Sequence, residues 1–336
     1  MIRLLLEQTQ QGESSQILAR TKLRAVVQRM GLSAVQGERA ELVCTEILTN
    51  QQKHGRGGLL QFWESSQPVR ALEVFALDYG AGIPELHRAF EDGYTTKGTL
   101  GRGLGAIRRL ADDAAVYSVV DDGRKRPWHG VAVWARFLRD SGADLPYRVG
   151  GFLRAYHDDA HNGDLITVQT GPDGLAWLHM DGLGHGREAA EAVGGMDGVL
   201  EPGGGPEAVM ARVSRALQGR RGGVGIAGEL RGGEVCLCGV GDMAAATVDG
   251  AKHAVPFAPG VLGHAHRSFE TQKVALGPET VVLTASDGIR RTWEMGAFPG
   301  LWTLHPQMVA LLMGNVLGRN SDDKSLFVAA VNKGVE

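Results

Sequence analysis

The chain is short of long apolar runs, of cysteine and of any excess of one charge, and each shortage removes a class of protein. Among its 336 residues no stretch approaches the roughly 18 consecutive apolar residues of a membrane span. The opening MIRLLLEQTQQGESSQ turns polar too soon for a signal peptide, so a soluble, cytoplasmic protein is expected. Cysteine occurs 3 times, an odd number. Cys236 and Cys238, in EVCLCGV, would share one face of a strand, which favours core thiols in a reducing cytosol over a disulfide framework or a zinc site. Lys and Arg total 35 against 38 Asp and Glu, a net charge of -3. Without a basic excess neither nucleic acid nor a membrane surface is expected as a partner.

Glycine is what the chain has in quantity, with 49 residues, roughly twice the usual ~7%. One cluster, GTLGRGLGAIRRLAD at 98–112, runs straight into an amphipathic helix pattern. Glycines let backbone N–H groups approach a ligand, and a helix N-terminus adds unsatisfied donors and the positive end of its dipole. Such a loop suits a phosphate, with a plain turn as the alternative.

The length predicts two domains. From Ser14 to Leu138 the pattern reads as two helices, SSQILARTKLRAVVQRMG and GERAELVCTEILTNQQKHG, then the strands LLQFWE and RALEVFALD, the glycine loop with its helix, and two more strands. RDSGADLPYR, 139–148, reads as a linker. Beyond it lie seven strand patterns (DLITVQ, LAWLHMD, GVGIAGEL, EVCLCGV, AAATVDG, TVVLTASDG and SLFVAAV) and two helix patterns, PEAVMARVSRAL and HPQMVALLMGNVL. GGMDGVLEPGGGP reads as a surface loop. A strand-dominated domain of layered sheets is expected.

In the first half, Glu46 and Asn50 stand four apart and project from one helix face, with His54 a turn further on. Asp78 ends a strand and is followed by YGAGIP, where Gly80 and Gly82 allow a tight turn. A carboxylate there can accept a hydrogen bond from an exocyclic amine. The order E-x-x-x-N on a helix, D-x-G-x-G after a strand and G-x-G-x-G opening a helix resembles the GHKL ATPase family, in particular its small Ser/Thr kinases of the anti-sigma and RsbT-like type. The resemblance covers about residues 10–138. It implies that Asn50 holds Mg²⁺, Asp78 receives the adenine amino group of ATP, Gly101, Gly103 and Gly105 wrap the phosphates, and Glu46 acts as general base, with Lys97 as a lid cation or a solvated lysine. Gln51 and Gln52 depart from the small or apolar residues of many relatives. No phosphoacceptor-histidine helix precedes this region, which disfavours a sensor histidine kinase.

In the second half, Asp164, Asp181, Asp287 and Asp322 each stand at a strand end or beside one. Clustered carboxylates repel unless a cation neutralises them, and an all-oxygen set favours Mg²⁺ or Mn²⁺. MDGLGHGREAAEAV, GVGDMAAATVDG, APGVLG, ASDGI and SDDKSLFVA, in that order, resemble the PPM (type 2C) metal-dependent Ser/Thr phosphatases, specifically the bacterial branch related to RsbX and SpoIIE. This likeness extends over about residues 149–332. It implies that Asp181 bridges two metals with the Gly182 carbonyl on one, that Asp287 and Asp322 complete the other, and that Asp164 binds directly or through water. A water between the cations then attacks a phosphoserine or phosphothreonine. Asp323 is an alternative to Asp322, Gly163 stands where animal relatives carry a Glu ligand, and no phosphate-gripping arginine is identifiable. The HDDAH cluster at 157–161 reads as a solvated loop, and His185 as structural or substrate-facing.

The expected fold is therefore α+β in two domains: a GHKL (Bergerat-type) α/β sandwich over 1–138, the linker, and a PPM-type β-sandwich flanked by helices over 149–336. The resemblances imply a bifunctional partner-switching regulator that phosphorylates and dephosphorylates STAS-type partners, with a sigma factor as a further partner. The alternative is a phosphatase whose N-terminal domain senses nucleotide, or binds a sigma factor, without transferring phosphate.

Overall fold

A computed structural model of the chain describes residues 2–9, 13–90, 103–140, 145–171, 174–200 and 204–332. The chain divides into two compact units, one of Ile2–Ala143 with Ala297–Leu301, the other of Asp144–Gly296 with Trp302–Glu336 and Met1.

The N-terminal unit runs β1 (Ile2–Thr9), α1 (Glu13–Met30), α2 (Ala34–His54), β2 (Gly58–Ser65), β3 (Ala71–Asp78), α3 (Gly103–Leu110), β4 (Asp113–Val119) and β5 (Gly130–Leu138). Its antiparallel sheet has the order β1-β2-β3-β5-β4, and its core joins helix residues such as Leu23, Val43, Ile47 and Ile107 to Leu60, Phe62, Val74 and Phe137 of the sheet. Helix α2 starts three residues before the pattern at Gly37, because Ser33 and Gln36 form a reciprocal capping box: Gln36 N–H donates to Ser33 Oγ and Ser33 N–H to Gln36 Oε1. Gln51, at odds with family habit, is buried and stitches α2 to the sheet, its Nε2 donating to the carbonyls of Leu59 and Leu77, each at 3.0 Å. Gln52 lies on the surface and accepts from Gln16 of α1. Strand β1 is an addition to the sequence reading, which had assigned no element before Ser14.

The C-terminal unit runs β6 (Tyr147–Arg154), β7 (Asp164–Gly171), β8 (Gly174–Gly182), α4 (Arg187–Val193), α5 (Gly205–Ala216), β9 (Gly223–Arg231), β10 (Glu234–Val240), β11 (Ala244–Val248), β12 (Lys252–Val255), β13 (Thr271–Ala275), β14 (Val281–Ala285), α6 (Pro306–Leu317) and β15 (Lys324–Val331). Two five-stranded antiparallel sheets, β13-β10-β9-β8-β7 and β12-β11-β14-β15-β6, share one core that includes Ile166, Trp177, Ile226 and Leu237 from the first and Val149, Val282 and Phe327 from the second. Helices α4 and α5 cover the outer face of the first sheet and α6 that of the second. The seven expected strands are all present. Strand β6 already begins at Tyr147, inside the segment read as a linker, and pairs with β15. The glycine-rich stretch near 195–200 is not wholly a surface loop, since a short 3-10 turn, Met196–Val199, buries Met196 and Leu200 follows it into the core. Among the described residues no helix is long and apolar enough to cross a membrane.

This topology decides where the acidic residues meet. Asp164 at the start of β7 is the direct cross-strand partner of Asp181 near the end of β8. β10 ends two residues before Asp242, β14 two before Asp287, and β15 starts two after Asp322. In an antiparallel sandwich, these starts and ends fall on one edge.

Candidate functional sites

In the N-terminal unit, α2 is the ruler of the site. Glu46 and Asn50 are half-buried on one stripe, and neither side chain has a hydrogen-bond partner among the described residues. The N-terminus of α3 lies directly against them: a Cβ on Gly103 would stand 3.2 Å from Glu46 Oε2 and 3.3 Å from Asn50 Nδ2. Any side chain there would fill the space facing both groups, so glycine keeps it open. The first amides of α3 have no intrahelical partners, and they bring the positive end of the helix dipole to this space.

Two turns further along α2, the helix reaches Asp78. This carboxylate is 6% exposed. Its Oδ1 accepts from Gly80 N–H at 2.8 Å and Val131 N–H at 3.2 Å, while Trp128 Nε1–H donates to its carbonyl at 2.9 Å. Burial raises the Asp78 pKa, and the two amide donors with the nearby His54 and His129 pull it back. Gly80 supplies one of those amides, and Gly82 takes the left-handed turn beyond it (φ 78°). From Glu46 to Gly55, which lies against Asp78, the helix rises about 13 Å at ~1.5 Å per residue. Asn50, an oxygen donor without a partner, and an open space at a helix N-terminus fit Mg²⁺ with phosphates. Gly105 is buried in the first turn of α3. Gly101 and Lys97 lie outside the described residues.

In the C-terminal unit the carboxylates cluster at the sandwich edge. Asp181 is raised well above the carboxylate range, by burial first and then by the charges of Asp164, Asp287, Asp322 and Asp242. Asp164, 3% exposed, is also raised, by burial ahead of everything else; the hydroxyls of Ser325 and Ser286 oppose the rise, and Asp323 and Asp322 add to it. Asp287 is raised by burial, Asp322 and Asp242, with Arg319 and Arg291 opposing. Asp164 Oδ2 accepts from Ser325 Oγ at 2.7 Å, whereas Oδ1 is buried without a partner. Among the described residues no three of these groups close into a ready-made ligand shell. A buried orphan oxygen amid mutually repelling carboxylates nonetheless has the chemistry of a site for a hard cation. Gly182 follows Asp181 at the end of β8, its N–H donating to Gly163 O at 3.0 Å.

The structure separates the adjacent acids Asp322 and Asp323. Asp323 accepts from Tyr156 N–H (2.7 Å) through Oδ1 and from Gly163 N–H (2.8 Å) through Oδ2, so both its oxygens are occupied in pinning the 156–163 loop. Asp322 is half-buried and is the member whose charge raises Asp181 and Asp287. Gly163 is glycine for the same reason: a Cβ would stand 2.9 Å from Asp323 Oδ2 and 2.8 Å from the Ala189 Cβ, leaving no room for a Glu ligand. In the pinned loop His157 and His161 are exposed, and His161 pairs with Asp159. His185, also exposed, sits 4.9 Å from the Tyr156 ring.

Asp242 was missed at the sequence level, although GVGD carries the same signature of a strand followed by an acid as the others. His179 was missed too. It is fully buried two residues before Asp181, with Nδ1 2.8 Å from Thr284 Oγ1 and Nε2 2.7 Å from Ser325 Oγ, and burial pushes its pKa down to about 3.

The two units thus carry two different clusters, one of Glu46, Asn50 and Asp78 along and beyond α2 and one an acidic edge on a sandwich. Residues 13–126 match the histidine kinase-like ATPase domain. Over 108 residues the chain is 31% identical to the serine/threonine-protein kinase RsbT of Bacillus subtilis, spanning 32% of this chain and 81% of that protein. Through this N-terminal region the chain belongs to the histidine kinase-like ATPase family. Three solved structures resemble the chain as well. One, from work on the bacterial stressosome as a modular system adapted to control secondary messenger signalling, is 25% identical with a TM-score of 0.49 over 55% of this chain and 98% of that one. RsbX in complex with magnesium is 14% identical, TM-score 0.48, over 57% and 98%. The PP2C phosphatase domain of SpoIIE from Bacillus subtilis, with a fragment of its regulatory domain, is 16% identical, TM-score 0.48, over 96% of each chain.

Proposed function

We propose that the chain is a bifunctional switch enzyme, with an ATP-dependent Ser/Thr protein kinase over residues 1–138 and a Mg²⁺- or Mn²⁺-dependent phosphoserine/phosphothreonine phosphatase over residues 149–336. The observation that carries the kinase half is the close approach of Glu46 and Asn50 to the Gly103 start of α3, in a unit related to RsbT. Asp78 receives the adenine amino group, Asn50 holds Mg²⁺, and the start of α3 receives the phosphates. Glu46 takes the proton from the attacking hydroxyl of the protein substrate. A nucleotide sensor needs Asn50 and the glycines but has no use for that carboxylate.

The acidic edge supports the phosphatase half. Asp181, Asp164, Asp287 and Asp322, with the Gly182 carbonyl, would hold the cations, whose chemistry when bound is to neutralise the phosphoryl charge and acidify an attacking water. Arg291, which pairs with Asp242, and Arg319, both of whose charges reach Asp287, together with Arg221, which pairs with Glu188 beside Gly184, are candidate partners for a substrate phosphate. STAS-domain proteins are the proposed substrates, and a sigma factor is a further proposed partner, in the cytoplasm.

The test is incubation with labelled ATP and a candidate STAS protein, with and without Mn²⁺. The reading expects label to appear on the partner and to leave it when Mn²⁺ is present. A partner that is dephosphorylated but never labelled identifies the N-terminal unit as a sensor.

A further inference from the structure

We infer that His179 is a positioning residue for the acidic edge: lodged between the two sheets, it fixes through Ser325 which oxygen of Asp164 is left to face a cation. This rests on the metal-phosphatase reading of the C-terminal unit.

The residue is out of place for a sandwich interior. β8 alternates, with Leu178 and Met180 directed into the core shared with α4 and α5, and Trp177 into the core between the sheets. His179 follows Trp177 onto the inter-sheet face, where the ring is fully buried. An imidazole there is costly unless both nitrogens are paired. Both are, and both partners come from the opposite sheet, Thr284 on β14 and Ser325 on β15.

The direction of the bonds follows from the acidic end. There Ser325 Oγ donates its single proton to Asp164 Oδ2. Ser325 Oγ must then accept from the ring, which puts the imidazole proton on Nε2. Nδ1 is left bare and accepts from the Thr284 hydroxyl. A one-directional series of three bonds, each 2.7 or 2.8 Å, thus runs from Thr284 to Asp164. At its end Oδ2 is occupied, and Oδ1 is the buried oxygen with no partner. Remove the ring's donor and Ser325 Oγ becomes a buried acceptor with nothing to fill it, free to turn its proton away from Asp164.

The experiment measures Mn²⁺ affinity of the full chain directly, from the free-ion electron paramagnetic resonance signal, for wild type, His179→Leu, His179→Gln, Ser325→Ala and Ser325→Thr. Losing an outer partner of a metal ligand typically weakens the metal by about 10- to 100-fold, and that loss is expected for His179→Leu and Ser325→Ala. ATP affinity of the N-terminal unit should stay unchanged. His179→Gln, which keeps an amide donor near the Nε2 position, and Ser325→Thr, which keeps the hydroxyl, should recover most of the affinity. A merely structural staple between the sheets would lower the melting temperature and leave the affinity of the folded protein alone; wild-type affinity in both His179→Leu and Ser325→Ala overturns the inference. If His179→Leu does not fold, Ser325→Ala decides, because it removes one oxygen and no volume of consequence. Wild type that neither binds Mn²⁺ nor hydrolyses phosphoprotein overturns the phosphatase reading and this inference with it, a failure visible before any variant is made.

Discussion

Glu46 and Asn50 stand half-buried with no hydrogen-bond partner among the described residues, whereas Asp164 and Asp181 stand packed against each other and against further carboxylates. The first site is incomplete in shape. Its polar groups face the start of α3, where a side chain at position 103 would crowd them. The second is incomplete in charge. Burial and mutual repulsion raise the pKa values of Asp164, Asp181 and Asp287. A nucleotide site of the first kind is expected to bind by filling space, and the second by cancelling repulsion, so the two should answer differently to substitution, pH and chelation.

The largest expected effect is on the charge-limited site. Asp181→Asn should reduce Mn²⁺-dependent hydrolysis of a phosphoprotein by roughly 10³-fold or more, the loss of several kcal/mol of metal-derived stabilisation at ~1.4 kcal/mol per decade. Isothermal calorimetry should find ATP binding untouched. Next, Glu46→Gln in the Asp181→Asn background, where product is not erased, should keep ATP affinity and lower phosphate transfer by about 10²- to 10⁴-fold. Equal transfer with and without the substitution rejects Glu46 as the base. Asp78→Asn should shrink the preference for adenine over guanine nucleotides by about 10-fold, the scale of one buried hydrogen bond of ~1–2 kcal/mol. Competition binding with ATP and GTP would show it, and an unchanged ratio moves the base-recognition role elsewhere.

The smallest effect concerns pH in the absence of metal. Asp181 keeps its proton to higher pH when folded than when unfolded, where the carboxylate titrates near about 3.9. Raising the pH above that point therefore takes the proton from the unfolded chain first and destabilises the native one. In EDTA the melting temperature of wild type should fall from mildly acidic to mildly alkaline pH by a few degrees, at ~2–4 °C per kcal/mol. Mn²⁺ or Asp181→Asn should flatten that slope. His179 has the opposite sign: its native pKa is depressed, so its share of stability is lost as pH drops below about 6.5. A slope in EDTA that is the same in Asp181→Asn would show that the repulsion lies elsewhere.

Much of this was legible in the sequence wherever an apolar run stands out between turn residues. TVVLTASDG and HPQMVALLMGNVL form elements buried on nearly all sides, and they show as near-continuous apolar runs. The missed strands lack that contrast. β1 is mostly half-buried along its length, and β12 and β13 are short edge strands with exposed residues. β6 carries Gly150 and Gly151 in its middle, a pattern that reads as a turn; the structure needs the first because the α6 backbone at Pro306 passes where its Cβ would be, at 2.2 Å. α4 is only 7 residues, too short for a helical period to emerge from REAAEAV. At the candidate sites, the strand-end positions of Asp78, Asp164 and Asp181 could be read. The different hydrogen bonding of Asp322 and Asp323 could not, because it depends on backbone amides more than 150 residues away in the chain.

The pairing of Asp164 directly across from Asp181 also bears on where the molecule first comes apart. Where the pH is high enough to ionise both, two like charges at the open end of the β7–β8 hairpin push against the last rungs of its ladder, while the same hairpin is held at mid-length by Ile166 and Trp177 in the core. Without a cation, partial opening therefore begins at that end and travels inward, a local fraying that leaves the rest of the sandwich folded. On the metal-phosphatase reading, a bound cation would act as a zip fastener for the hairpin, and the time the amides of Asp164 and Gly182 spend exposed to solvent would record how full the site is.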